Sequence, residues 1–369
     1  MFQVSQKKRY GRPDALFLTI FFVLVFFGLM VLGSASSDIS RTKFGDSFFL
    51  LKKQIELGFL IGIIGFFIAL KINYKKYEKI SGILIFASLI LLGLIFTPLG
   101  VKENGSNRWL NFGAFIIQPS EIIKLTSVIF FAFWLSKKNI KNLSFLKSFS
   151  FFGLLGIITI LLLLEPATSV AVILIATSLI MYCLANGKLS NAFLATSICL
   201  AVLGGLIYLT PYRLSRFESF LNKEANLMSS GFHANQALIA IGSGGLAGVG
   251  FGQSTTKLSF LPEPYGDSIF AVLAEEFGFI GSITTLLLFG FLVLRIFILA
   301  RKVSDKAGSY MLIGFGSLIG IQVIINIGAI SGIFPLTGVP LPFMSYGNSS
   351  LIVFMTMGGI IGNISKQAK

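Results

Sequence analysis

The sequence has little charge, few cysteines and a single histidine. Charged residues make up 12% of the 369 residues, well below the roughly 25% of average soluble chains. The chain has two cysteines, Cys183 and Cys199, and one histidine, His233. These three residues are too few for a four-ligand zinc site made of cysteine and histidine. Because both cysteines fall inside apolar runs, we expect no disulfide. These shortages argue against a soluble enzyme and against a zinc protein.

Long apolar runs fill most of the chain. Hydrophobic residues make up 54% of it, and a helix of about 20 apolar residues crosses the hydrocarbon core of a bilayer. The runs predict an all-α fold, that of a polytopic integral membrane protein with about ten transmembrane helices, in one membrane domain over residues 1–369. The predicted helices are 15–35, 54–71, 80–98, 119–136, 148–165, 167–186, 191–210, 268–299, 309–331 and 345–363.

The distribution of charge predicts an orientation. The net charge of +15 would indicate nucleic acid in a soluble protein, but here the basic residues lie mostly in short loops, so we expect no nucleic-acid partner. Lysine and arginine gather on the cytoplasmic side of membrane proteins. With a cytoplasmic N-terminus, that side holds 19 basic and three acidic residues, against 11 basic and 12 acidic residues elsewhere. Both termini are therefore expected in the cytoplasm, with extracytoplasmic loops at about 99–118 and 211–267.

Three acidic residues stand where the second outer loop meets the eighth predicted helix. Ionisable groups at such positions are costly and usually functional. Around a regular helix, Glu275 lies about 80° and Glu276 about 180° from Asp267, so one cavity cannot receive all three. We favour Asp267 as the functional residue. Glu275 and Glu276 either face the site or pair with basic neighbours to stabilise the bundle.

Charged residues also follow the first outer loop. Glu121 and Lys124 are three residues apart, a spacing that permits an ion pair on one helix face; alternatively, the lysine meets an anionic ligand. Arg108 and Trp109 lie just before them, and an arginine beside an indole can hold a phosphate or stack on a sugar. The indole can equally be an interfacial anchor.

The second outer loop contains features with more than one interpretation. Arg213 and Arg216, three residues apart, can clamp a pyrophosphate or contact lipid headgroups. Glycines at 242–252 resemble a phosphate-binding loop, but no strand precedes them and no Lys-Ser/Thr pair follows. We therefore expect close backbone packing or a flexible loop there. His233 is more typical of a polar loop residue than of a catalytic base.

Several motifs follow one another along the chain. They are NRWL at 107–110, QPSE with a lysine at 118–124, AIGSGG and then GVGFGQS at 240–254, LPE and the aspartate at 261–267, and PLTGVPLPF and then SYG at 335–347. Together they resemble the SEDS family, which includes FtsW, RodA and SpoVE, over nearly the whole chain. GVGFGQS with Lys257 is more similar to FtsW than to RodA.

The resemblance implies an inverting peptidoglycan glycosyltransferase that polymerises lipid II, an undecaprenyl-pyrophosphate-linked disaccharide peptide, at the outer face of the bacterial cytoplasmic membrane. Similarity to FtsW implies a role in cell division, with a class B penicillin-binding protein as transpeptidase partner and other division proteins nearby. Asp267 matches the family's essential aspartate and is the expected catalytic residue. The expected substrate-binding residues are Arg108, Trp109, Glu121, Lys124, Arg213, Arg216, Glu263 and Glu275.

The chain also departs from the family pattern around the expected site. Tyr-Gly-Asp-Ser at 265–268 replaces the usual His-Thr-Asp-Phe, and Pro-Ala-Thr-Ser at 166–169 replaces the usual Pro-Asp-x-Gly. His233 stands in place of a usual glutamine, and Asn348 in place of a usual glycine. The surroundings of the site are therefore expected to differ from those in other members.

The predicted helix 309–331 is rich in glycine. Small residues let membrane helices approach one another closely. The glycines at 314, 316, 320 and 328 can therefore receive the single helix of the transpeptidase. The alternative is that they pack this helix inside its own bundle.

The expected chemistry requires one base. Pyrophosphate is already a good leaving group, so a carboxylate that takes the proton of the attacking sugar hydroxyl suffices, and such a base contributes about 10²–10⁴-fold in rate. Asp267 is the candidate. Arg213, Arg216, Lys124 or a divalent cation, Mg²⁺ or Mn²⁺, can balance the departing charge, although the sequence shows no dedicated cation site. The alternatives are a flippase or transporter of lipid-linked precursors, a RodA-like elongation polymerase, and a non-catalytic division scaffold.

Overall fold

The computed structural model describes residues 11–103, 106–113, 116–137, 145–185, 187–194, 196–197, 204–205, 220, 231–258 and 260–368. Helices dominate this part of the chain. In order they are α1 Ala15–Ala35, α2 Ser37–Phe44, α3 Phe49–Lys53, α4 Leu60–Lys71, α5 Tyr77–Leu94, α6 Pro119–Lys137, α7 Phe145–Leu164, α8 Thr168–Leu184, α9 Phe232–Ser243, α10 Ile269–Lys302, α11 Lys306–Ile330 and α12 Asn348–Ser365. A π-helical turn, Gln54–Phe59, joins α3 to α4, and a 3₁₀ turn, Tyr74–Lys76, precedes α5.

The helices confirm a polytopic membrane fold. Among the described residues, six helices are long and apolar enough to cross a membrane, and two shorter apolar helices accompany them, Ser150–Leu164 and Thr168–Leu184. The six are Ala15–Ala35, Phe49–Lys71, Tyr74–Leu94, Pro119–Lys137, Ile269–Lys302 and Lys306–Ile330. The predicted count of ten is not confirmed, because most of the predicted helix 191–210 lies outside the described residues.

The small residues of α11 let the neighbouring helices approach it. A Cβ atom added to Gly314 would lie 2.5 Å from a methyl carbon of Val128 on α6 and 2.7 Å from the sulfur of Met181 on α8. One added to Gly316 would lie 3.1 Å from Ile296 on α10. These two glycines therefore pack α11 inside its own bundle, which is one of the two alternatives that the sequence left open.

The loop at 99–118 contains a small antiparallel sheet that the sequence did not predict. Its strands are β1 Gly100–Glu103, β2 Ser106–Asn111 and β3 Ile116–Ile117, in the order β1-β2-β3. Trp109 pairs with Val101, and Leu110 pairs with Ile117. Because β3 ends two residues before α6 begins, the sheet positions Arg108 and Trp109 close to the start of that helix.

Helix α10 is broken at Gly278, which has a φ of 64°. The break frees backbone groups of α10 that pair with the glycine-rich loop 244–252. Val249 N donates to Glu275 O at 3.0 Å, and Phe279 N donates to Gly245 O at 2.9 Å. A Cβ on Gly248 would collide with the carbonyl group of Glu276. The glycines thus allow a close approach of two backbones, as the first of the two sequence interpretations expected.

Polar contacts bring several loops together at one end of the bundle. Tyr74 Oη donates to Asp305 Oδ2 at 2.8 Å, and Asp14 N donates to Ser365 Oγ at 3.0 Å. Tyr74 Oη also lies 3.0 Å from Gln367 Oε1, so the described ends of the chain lie beside the turn before α5 and the turn before α11. Ser34 is 20 residues beyond Asp14 along α1, or about 30 Å away, close to the thickness of a bilayer core.

Candidate active site

Asp267 lies directly before α10, and its peptide group is held from the side. Asn326 on α11 donates one hydrogen bond to Asp267 O at 2.9 Å and another to Val339 O at 2.7 Å. A Cβ added to Gly338 would lie 3.8 Å from Asp267 Oδ2. The segment that carries the PLTGVPLPF motif therefore forms one wall beside the carboxylate. The Asp267 side chain remains 16% exposed.

An imidazole and a second carboxyl group surround the Asp267 carboxylate. His233 Nε2 on α9 lies 4.0 Å from Asp267 Oδ1. Burial, and then the negative charge of Asp267, raise the pKa of the Glu263 carboxyl above its usual value. A hydrogen bond from Tyr265 and the positive charges of Lys43 and His233 oppose this increase. Such a carboxyl pair favours one ionised member, able to accept a proton, beside one that retains its own.

A second cluster lies at the start of α6. Lys124 Nζ is 2.8 Å from Glu121 Oε1 and donates to Gln322 Oε1 at 2.8 Å. It also lies 5.2 Å from the centre of the Phe354 ring, within range of a cation–π interaction. Both charged side chains are buried. This geometry matches the structural ion pair that the sequence allowed, while a substrate-binding role for Glu121 and Lys124 stays a prediction.

Helix α11 connects the two clusters. Gln322, which contacts Lys124, also donates to Pro340 O at 2.8 Å. Asn326, which holds Asp267, lies four residues further along the same helix, about 6 Å in rise. Asn326 donates a hydrogen bond to Val339 O, the carbonyl group that precedes Pro340 in the chain. The segments that carry Lys124 and Asp267, far apart in sequence, therefore contact α11 within about one helical turn of each other.

Arg108 lies on β2 next to a buried acid that the sequence analysis missed. Arg108 Nη2 donates to Pro166 O at 2.7 Å, and the neighbouring Glu165 is buried. Burial raises the pKa of the Glu165 carboxyl to about 8, although the neighbouring Ser120 hydroxyl and the charge of Arg108 oppose this. Glu165 is the only charged residue of the predicted helix 148–165. An acid at the end of such a run is itself a functional signal.

Glu275 and Glu276 hold the loop that follows the glycines. Glu276 Oε1 pairs with Lys257 Nζ at 2.7 Å and accepts a hydrogen bond from Ser34 Oγ at 2.5 Å. Lys257 is thus the basic neighbour that one of the two sequence interpretations expected for Glu276. Glu275 accepts instead from Ser254 Oγ at 2.6 Å and from Thr255 N at 3.0 Å. A substrate-binding role for Glu275 stays a prediction.

The other predicted substrate-binding residues fall into two groups. Trp109 is half-buried in the small sheet, on the strand that carries Arg108. Arg213 and Arg216 lie outside the described residues, so their placement relative to Asp267 stays a prediction.

Comparison with known proteins identifies the family. The family model described as "Cell cycle protein", which covers FtsW, RodA and SpoVE, matches residues 14–369. The chain is a SEDS protein. It is similar to stage V sporulation protein E of Bacillus subtilis, with 38% identity over 97% of this chain and 98% of that protein. It is also similar to the probable peptidoglycan glycosyltransferase FtsW of Saccharophagus degradans, with 37% identity over 90% of this chain and 87% of the other.

Solved structures show the same SEDS fold. One is a chain of a peptidoglycan synthase complex described as coordinating polymerisation and crosslinking, with a TM-score of 0.79 and 26% identity over 96% of this chain and 97% of that one. Another is the rod-shape-determining protein RodA of Thermus thermophilus, with a TM-score of 0.69 and 26% identity over 96% and 97% of the two chains.

Residues that depart from the SEDS pattern contact one another beside Asp267. His233 Nε2 lies 2.6 Å from Ser268 Oγ, and Ser268 Oγ donates to Pro262 O at 2.9 Å. Tyr265 O accepts from Tyr346 N at 2.8 Å, which ties the LPE segment to the SYG motif. The environment of the aspartate thus combines shared SEDS motifs with side chains that differ from the usual ones.

The described residues of this SEDS protein do not form a metal site of their own. No group of three or more histidine, cysteine, aspartate or glutamate side chains is placed to hold an ion in this part of the chain. Divalent cations such as Mg²⁺ take several oxygen ligands, and the donor set described here does not supply them.

Proposed function

We propose that this SEDS protein is a peptidoglycan glycosyltransferase that polymerises lipid II into glycan strands at the outer face of the cytoplasmic membrane. Curated relatives that cover nearly the whole chain are named as peptidoglycan glycosyltransferases. The observation that carries the proposal is the placement of Asp267. Its backbone is fixed by Asn326, and its carboxylate stands beside Glu263 and keeps some exposure to solvent.

Asp267 acts as the general base in a single displacement. The acceptor sugar hydroxyl attacks the anomeric carbon of the donor, and the bond from that carbon to the pyrophosphate oxygen breaks. The hydroxyl proton passes to the Asp267 carboxylate, and the electron pair leaves on the lipid pyrophosphate. Attack opposite to the leaving group inverts the anomeric carbon, by analogy with inverting glycosidases. A positioned base contributes about 10²–10⁴-fold in rate.

Positive charge has to meet the departing pyrophosphate. Arg108 is the described candidate, because β2 carries it at the start of α6 beside the turn that follows α7. Arg213 and Arg216 are the further candidates. Lys124 is enclosed by Glu121, Gln322 and Phe354, so we assign it first to holding α6 against α11.

Both chain ends face the cytoplasm in this proposal. Tyr74 contacts both Asp305 and Gln367, and Asp14 contacts Ser365, so the turns before α5 and α11 lie at the same end of the bundle as the chain ends. These are segments whose basic residues predicted a cytoplasmic position. The small sheet and Asp267 are then extracytoplasmic, on the side where lipid II is polymerised.

The relatives support a cellular role and a set of partners for this protein. Similarity to FtsW and to a family described as cell cycle proteins supports a role in cell division. A solved relative belongs to a complex that couples polymerisation to crosslinking. A class B penicillin-binding protein and other division proteins are therefore the proposed partners.

Replacement of the base tests the proposal. Asp267→Asn keeps the shape of the side chain but removes the proton acceptor, so polymerisation of lipid II by the purified protein in detergent should fall at least about 100-fold. Asp46→Asn, at an exposed pair with Lys52, is the matched control and should keep its activity. Polymer from the Asp267→Asn variant at near-normal yield would refute the base assignment. An inactive wild-type protein that moves lipid II across vesicles would favour the flippase alternative.

A further inference from the structure

The one histidine of the chain faces the carboxyl pair of the proposed site. His233 lies in the first turn of α9, and its Nε2 atom is 4.0 Å from Asp267 Oδ1 and 2.6 Å from Ser268 Oγ. Its side chain is 21% exposed, so protons can reach it from solvent. We propose that His233 is a positioning residue whose protonation sets the strength of Asp267 as a base, so that polymerisation slows when the imidazole becomes charged.

The hydrogen bonds around Ser268 fix which imidazole nitrogen carries a proton. The Ser268 hydroxyl has one proton and donates it to Pro262 O at 2.9 Å. A carbonyl oxygen can only accept. Ser268 Oγ therefore accepts from His233, and Nε2 carries a hydrogen that points to the serine. The second nitrogen of the ring, Nδ1, is then the one that gains or loses a proton.

This tautomer excludes the Nε2 atom of His233, the nitrogen that faces Asp267, as the base. Nε2 is the nitrogen next to Asp267, and it is already protonated and engaged with Ser268. The imidazole consequently acts on Asp267 by its charge. Protonation at Nδ1 places a full positive charge about 4 Å from the carboxylate, and an opposite charge at that distance favours the ionised form of a carboxyl group.

Several charged or titratable groups act on the carboxyl pair together with the imidazole. Asp267 and Glu263 face the imidazole from the segment before α10, and Lys43 on α2 acts on Glu263 together with His233. Tyr265 donates a hydrogen bond to Glu263. From α11, Asn326 presents an uncharged amide to the same segment. Histidine is the side chain whose ordinary titration falls between about pH 5 and 8, so that window is the one in which the proposal is tested.

A charged imidazole weakens the base without removing it. An ionised carboxylate that a neighbouring positive charge stabilises accepts a proton from the sugar hydroxyl less readily. Loss of part of the contribution of a positioned base corresponds to a fall in rate of about tenfold. This inference rests on the proposed glycosyltransferase function.

Two substitutions at His233 separate charge from shape. His233→Gln supplies a neutral side chain, and His233→Lys supplies a permanent positive charge. Initial rates of lipid II polymerisation are measured from pH 5.5 to 8.5 with the purified protein. For the wild type we expect a fall of about tenfold on the acidic side. The glutamine variant should stay fast across the range, and the lysine variant should stay slow across it.

Each outcome has a distinct meaning. Wild-type and glutamine profiles that superimpose would overturn the role of His233 while leaving the polymerase function intact. Equal losses in the glutamine and lysine variants, with no change in the shape of the profile, would indicate a purely structural side chain and would also overturn it. A wild-type protein without polymerase activity at any pH would instead refute the proposed function. Ser268→Ala, which removes the acceptor that fixes Nε2, should retain an acidic fall but move its midpoint.

Discussion

The buried pair between Lys257 and Glu276 gives a direct test of what fastens the glycine-rich loop to the bundle. Lys257 Nζ lies 2.7 Å from Glu276 Oε1 and also donates to Ser34 Oγ at 2.8 Å and to Gly252 O at 2.9 Å. One lysine thereby joins α1, α10 and the loop. Lys257→Met keeps most of the volume of the side chain and removes the charge.

The burial of the pair sets the expected loss of stability in Lys257→Met. The two side chains of this pair are 4% and 0% exposed, so Lys257→Met leaves Glu276 as a buried charge with one neutral donor. Removal of one partner of such a pair costs about 3–5 kcal/mol. The pair of Lys52 and Asp46 has nearly the same length, 2.6 Å, but its side chains are 61% and 41% exposed. An exposed pair contributes at most about 1 kcal/mol.

Thermal unfolding in detergent measures the difference in stability between the buried-pair and exposed-pair variants. At roughly 2 °C per kcal/mol, or somewhat less for a long chain, Lys257→Met should lower the midpoint by several degrees. The matched control, Lys52→Met, should lower it by no more than about 2 °C. Joint replacement of Lys257 and Glu276 by methionine should cost less than the sum of the two single changes, because no unpaired charge remains.

Equal unfolding midpoints for Lys257→Met and Lys52→Met would refute the reasoning. The contribution of each ion pair to stability would then depend on the distance between its charges, which is similar in both, and not on burial. Strict additivity in the double variant would refute it in a second way. In that case the two side chains would not depend on one another, and the loop would be held mainly by the backbone bonds at Gly278 and by Glu275.

Two further predictions concern topology and Glu165. Single cysteines near positions 105 and 225 should react with an impermeant thiol reagent in intact cells, whereas those near 75, 140 and 304 should react only after permeabilisation; the reverse pattern would overturn the orientation. Because the folded pKa of Glu165, about 8, exceeds its ordinary value of 4.5, its contribution to stability is fully present below pH 4.5 and is lost as the pH rises toward 8. Glu165→Gln should therefore flatten the pH dependence of the unfolding midpoint in that window, and an unchanged slope would contradict the buried neutral carboxyl.

The helices were predictable because their signal is local. Runs such as Ala15–Ala35 and Lys306–Ile330 contain enough apolar residues to identify a span without knowledge of their neighbours. The small sheet was not predictable in the same way. Its strands are two to six residues long, and they lie in a polar segment where no hydrophobic alternation marks the register.

The motifs predicted the neighbourhood of the site better than its contacts. They identified Asp267 and Glu263 from sequence order, and the structure places these two carboxyl groups close enough to act on each other. The interaction of His233 with Ser268 could not be predicted, because the two lie 35 positions apart along the chain and α9 brings them together only in the fold. Each of these residues, considered alone, was a departure from the SEDS pattern.

The three acids near the start of α10 differ in the groups that surround them. Glu276 faces a lysine and Glu275 faces hydroxyl and amide donors, and both residues are 1% exposed. Such partners fix the position of each carboxylate, which suits a structural anchor. Asp267 stands instead beside an imidazole and a second carboxyl, with 16% of its side chain exposed. A base has to accept and release a proton in every cycle, so the acid with titratable neighbours and access to solvent is the one fitted to that work.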